Sequence, residues 1–81
     1  MNEISLSELT PNEPAIITAI ESESDQLTQD LLAIGIIEGE KIMILHQAPY
    51  FKDPLAVQIR GATLAIRKAD ATHTKVKKVT L

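Results

Sequence analysis

The sequence predicts a mainly β domain: a small barrel of about five short strands, with one inserted α-helix and short helical turns. Three observations predict it. Leu55, Val57 and Ile59 alternate with Ala56, Gln58 and Arg60, the period of a half-buried strand. Gly61 breaks that pattern and Leu64 and Ile66 resume it, so Gly61-Ala62 reads as a hairpin turn. Leu27, Leu31 and Ile34 recur at helical spacing between two strand-like stretches. At 81 residues the chain has the size of one small domain, spanning 1–81 with no repeat or linker.

The elements follow in order. Ser5-Leu6-Ser7-Glu8 fits a capping box, with Ser5 capping and Glu8 reaching back. Leu6 and Leu9 then share a face, and Pro11 limits the helical segment to a single turn. Pro11-Asn12 signals a turn, because proline presets its own φ and asparagine tolerates the left-handed region. Ala15 to Ile20 reads as a strand. Ser22 to Asp25 offers caps for the helix, and Gly35 stands where a left-handed residue would end it. Ile42 and Ile44 alternate with Met43 and Leu45 in the next strand. Pro49 and Pro54 bracket a loop from Ala48 to Pro54, since no strand interior tolerates them. A short helical turn from Lys68 to Thr72 leads into a last strand around Thr74 to Val79. This order describes a small barrel of SH3-like or OB-like type. Ile44, Val57, Ile59, Leu64 and Ile66 are expected to point inward, with Leu31 covering the barrel.

Composition narrows the function. The core must be aliphatic, because Ile, Leu and Val supply 23 residues while Tyr50 and Phe51 are the only aromatics. The absence of cysteine excludes disulfides, thiolate metal sites and a thiol nucleophile. The longest apolar run, 31–37, is too short to cross a membrane, and no leader pattern opens the chain, so a soluble cytoplasmic protein is expected. Residues 1–40 carry nine acids and no Lys or Arg; residues 41–81 carry two acids and all eight basic residues. The favoured reading of this −9/+6 split is that the halves pair across one fold through weak surface contacts. The other reading is a bipolar molecule that orients on a charged partner.

The residues that carry chemistry point away from catalysis. His46 and His73 are isolated, and no ligand pair stands at a diagnostic spacing; the metal-sensing alternative would need one of them joined to carboxylates. The stretch from Gly35 to Lys41 fails as a phosphate-binding loop: its glycine spacing is one short and no Ser or Thr follows Lys41. All four serines are explained by capping or turns, and no carboxylate stands in an apolar setting that would raise its pKa. Nucleic-acid binding is the alternative from another class. Lys75, Lys77 and Lys78 offer a basic run, but the chain is acidic and has only two aromatics for stacking. Tyr50 and Phe51 sit together in the Pro-bracketed loop. They either close one end of the barrel or, with Lys52, form a partner-binding tip.

Several segments in this order resemble one family, the FeoA-type accessory proteins of ferrous iron transport. They are Leu6-Ser7-Glu8-Leu9 with Pro11, Leu31 through Gly35-Ile36-Ile37-Glu38-Gly39, Ala48-Pro49, Ile59-Arg60-Gly61, and Leu64-Ala65-Ile66-Arg67 with Asp70-Ala71. The resemblance implies an SH3-like barrel, no enzymatic activity, no cofactor and no defined metal site. It also implies a cytosolic protein, not itself membrane-embedded, that binds the GTPase-bearing part of a membrane ferrous iron transporter and modulates transport. The same domain ends iron-dependent repressors, whose DNA-binding helices this sequence lacks. Two positions depart from the family pattern: Asn12 stands where glycine is common, and Thr74 where an aliphatic residue is common.

Overall fold

The computed structural model describes residues 3–47 and 53–79. The elements are β1 (Glu3–Ser5), a 3-10 turn (Leu6–Glu8), β2 (Pro14–Ile20), α1 (Asp25–Ala33), β3 (Lys41–Gln47), β4 (Leu55–Ile59), β5 (Ala62–Ile66), α2 (Lys68–Thr72) and β6 (Thr74–Lys78). The strands form one sheet in the order β1-β6-β2-β3-β4-β5, antiparallel at every step. The two ends of the chain therefore meet, with β6 between β1 and β2.

The sixth strand is β1. Three residues are too few to show a period of two, and only tertiary pairing defines it: Glu3 faces Lys77, Ile4 faces Val76 and Ser5 faces Lys75. The capping box follows immediately. Ser7 N donates to Ser5 Oγ at 3.3 Å, and Ser5 N donates to Glu8 Oε1 at 3.2 Å. The turn is 3-10, not α, and Leu9 ends it in extended conformation before Pro11.

Helix α1 begins at Ser24, whose Oγ accepts from Leu27 N at 3.1 Å. It ends in a Schellman motif. Gly35 takes φ +104°, Gly35 N donates to Leu32 O at 3.1 Å, and Ile36 N donates to Leu31 O at 2.9 Å. Leu31 and Ile36, the pair such a motif brings together, are both buried. Ile34 belongs to the helical stripe by spacing alone: as the C-cap it swings outward and is 44% exposed.

Arg60 and Gly61 both have positive φ, 54° and 82°, and Ile59 pairs with Ala62. The hairpin is thus a two-residue turn of the primed type centred on Arg60-Gly61, one residue before the expected position. Asn12 likewise takes φ 71° and donates its N–H to Ile44 O at 2.7 Å, so a left-handed residue is required where the family favours glycine.

The core lies against one face of the sheet. Ile44, Val57, Ile59 and Ile66 point into it with Ile17, Ile42, Leu55 and Val76, and Leu31 covers it. Leu64 is only half-buried, because β5 is the sheet's last strand and among the described residues has no neighbour beyond it. Thr74 is wholly buried, with its hydroxyl 3.5 Å from the Asp70 carbonyl, so the polar departure in the last strand keeps a partner.

Candidate functional site

The sequence-selected contact residues Tyr50, Phe51 and Lys52 lie outside the described residues, as does most of the Ala48–Pro54 loop. Its far end is fixed. Asp53 Oδ1 accepts from Lys68 N at 2.9 Å and so supplies the first turn of α2 with the side-chain acceptor that Arg67, its N-cap, does not provide. Arg67 instead binds Asp70 through two hydrogen bonds, at 3.1 and 3.3 Å.

The serines are absorbed by structure. Ser5, 5% exposed, places its Oγ 3.2 Å from both Ala71 O and Thr72 O, tying the N-terminal turn to α2 across the whole chain. Ser22 Oγ accepts from Ser24 N at 3.0 Å, and Ser24 caps α1. Among the described residues none of the four hydroxyls hydrogen-bonds to a His, Asp or Glu side chain. His73 Nδ1 lies 3.0 Å from the Glu21 carbonyl, which makes Nδ1 the donor. His73 lines a shallow cleft of about 670 Å³ with Glu21, Ser22, Glu23, Ser24 and Leu27. His46 lies in β3 opposite Ala56. Among the described residues no three His, Asp or Glu side chains converge as a metal site would require.

Among the described residues three ion pairs join the acidic half to the basic half: Arg60–Glu40 at 3.9 Å, Lys75–Glu21 at 3.8 Å and Lys78–Glu13 at 3.5 Å. The two halves therefore interleave on one surface, as the first of the two charge readings holds. The hydrogen bond from Thr10 and then the Lys78 charge hold the Glu13 carboxyl below its ordinary value.

Two surface features were not singled out by sequence. On the outer face of β2, β3 and β4, Pro14, Met43 and Gln58 floor a cleft of about 400 Å³ rimmed by Lys41, Glu40 and Arg60. Strand alternation did predict that Met43 faces away from Ile42 and Ile44, but not that Pro14 stands beside it. At the end of α1, Leu32, Ile34 and Ile37 are exposed, at 46%, 44% and 37%. Of these, only Ile34 was read by its spacing as part of the buried stripe.

A family model, that of the FeoA domain, matches residues 4–78. The chain belongs to the FeoA domain family. Among solved structures, an iron uptake regulatory protein (FeoA) is 27% identical with a TM-score of 0.86, covering 96% of this chain and 100% of its own. A FeoA-like protein from Clostridium acetobutylicum is 27% identical with a TM-score of 0.88, covering 100% of this chain and 92% of its own. FeoA of Stenotrophomonas maltophilia is 25% identical with a TM-score of 0.79, covering 91% of this chain and 89% of its own. That protein was solved with zinc and is described as an SH3 domain protein and a candidate activating factor of ferrous iron transport. Among curated proteins, none matches as a relative. The FeoA fold of this chain is SH3-like, and its family is one of accessory proteins in ferrous iron transport. Among the described residues no helix is long and apolar enough to cross a membrane.

Proposed function

We propose that this FeoA domain acts in the cytoplasm as a non-enzymatic accessory of ferrous iron uptake, binding the GTPase-bearing cytoplasmic part of a membrane iron transporter and modulating transport. The observation that carries the reading is the family match over residues 4–78. The surface supports action by contact. Leu32, Ile34 and Ile37 expose apolar area at one end of α1, where the domain's own core makes no use of it. The Pro-bracketed Tyr50-Phe51-Lys52 segment supplies the chain's only aromatics, with few rotatable bonds to order on binding.

The reading is tested by anaerobic uptake of radiolabelled ferrous iron in cells that hold the transporter with and without this chain. Uptake that depends on the chain, at equal transporter abundance, is the expected result. Uptake indifferent to it would refute modulation.

A further inference from the structure

Among the described residues the β5 strand ends the sheet with a free side, and its register shows which backbone groups face outward. The two-residue turn makes Ile59 and Ala62 a hydrogen-bonded pair, so Val57–Leu64 and Leu55–Ile66 are also hydrogen-bonded. Thr63 and Ala65 face Gln58 and Ala56 in the alternate, non-bonded positions. Their N–H and C=O groups therefore point away from β4, and among the described residues no backbone or side-chain group takes them. Both residues are exposed.

Natural sheets protect such an edge with charges or proline on the strand, or by keeping it very short. The opposite edge, β1, follows that rule with three residues, one of them Glu3. β5 runs for five residues, Ala-Thr-Leu-Ala-Ile, with no charge and no proline. Its charges stand just beyond each end: Arg60 at one, and at the other Lys68, with Arg67 held by Asp70.

These flanks select the occupant. A second copy pairing antiparallel through Thr63 and Ala65 would set Arg60 of one chain against Lys68 of the other, at both ends of the ladder. Like charges opposed in this way destabilise the pairing. A strand with carboxylates at its ends meets the same cations favourably. We propose that the free edge of β5 binds an extended segment of a partner polypeptide, uncharged where it pairs and acidic at both ends. Thr63 and Ala65 each supply one donor and one acceptor, and Arg60 and Lys68 set the polarity of what is accepted, Arg67 being already bonded to Asp70. Arg60 is available for this role, being 65% exposed and only loosely paired with Glu40 at 3.9 Å.

The test is an amide-resolved NMR titration of the labelled full chain with three extended heptapeptides that share the core Thr-Val-Thr-Val-Thr and end in Asp, Ser or Lys. The Asp-ended peptide is expected to saturate, to slow amide exchange at Thr63 and Ala65, and to bind at least about tenfold more tightly than the Lys-ended one at low salt. Ala65→Pro deletes an outward N–H without touching the β4 ladder, and it should weaken binding by about tenfold or more; Ala65→Ser, which keeps the N–H, should not. If Ala65→Pro fails to fold, slowed exchange at Thr63 and Ala65 in the unmodified chain decides the matter. Unprotected amides at about 1 mM Asp-ended peptide, equal binding by all three peptides, or protection that appears without peptide as the chain dimerises would each overturn the proposal. No transporter is present in this experiment, so its failure leaves the transporter reading standing, and the reverse holds too.

Discussion

Replacing Ser5 with alanine isolates how the N-terminal turn is joined to the rest of the barrel. The Ser5 hydroxyl does two things at once. It accepts from Ser7 N as the cap of the 3-10 turn, and it reaches Ala71 O and Thr72 O, each at 3.2 Å, on α2. Having a single proton, it donates to one of those carbonyls at a time. Loss of the cap costs about 1 kcal/mol. Loss of a buried hydrogen bond costs about another 1 kcal/mol, because the group left behind is shielded from water. Ser5→Ala is therefore expected to destabilise the domain by about 2 kcal/mol. Ser24 caps α1 but is exposed and hydrogen-bonds only to Ser22, Leu27 and Thr28 nearby in sequence, so Ser24→Ala should cost about 1 kcal/mol or less. For 81 residues total stability is expected at about 4–12 kcal/mol, so the Ser5 loss is a large share of it. Urea unfolding followed by circular dichroism measures both variants. The midpoint for Ser5→Ala should fall about twice as far as for Ser24→Ala, with the slope unchanged. Equal midpoints would refute the claim that Ser5 links the two ends of the chain.

Three further outcomes follow from the same structure. Ile59 is 3% exposed and lies between Ile42 and Ala62 in register; Ile59→Ala should cost roughly 2–5 kcal/mol, and an unchanged melting temperature would remove it from the core. Gly35→Ala and Gly61→Ala should each cost on the order of 1 kcal/mol in urea melts, through positive φ alone, since a methyl at Gly35 would meet Ile59 at an ordinary 3.9 Å and one at Gly61 would meet nothing. Thr10 and Lys78 hold the Glu13 carboxyl low, so its contribution is present above the ordinary carboxylate range and is lost as pH falls through the depressed value. Glu13→Gln should accordingly flatten the acid side of the stability profile, and a profile identical to that of the unmodified chain would contradict this.

Much of the fold was legible because the signals were local. The capping box, the helix stop at Gly35, the alternation in β4 and the left-handed Asn12 each depend on a few neighbouring residues, and each appears where the sequence places it. What escaped was set by distant partners. β1 exists only because β6 comes to lie beside it, and the turn shifted to Arg60-Gly61 because Ala62 is claimed by Ile59. Ile34 satisfies helical spacing, yet the C-cap geometry turns it to solvent. The candidate site was less legible than the fold. The exposure of Leu32 and Ile37 follows no period in the sequence, and the free side of β5 depends on strand order that no single segment encodes.

The central claim is that this domain works by docking onto an iron transporter. Calorimetric titration of the full chain against the transporter's purified cytoplasmic GTPase-bearing domain tests it most directly. The expected result is saturable one-to-one binding, weakened by roughly 2 kcal/mol or more in a Tyr50→Ala, Phe51→Ala double variant that keeps its circular dichroism spectrum. No saturable heat at about 100 μM of either protein would contradict the claim.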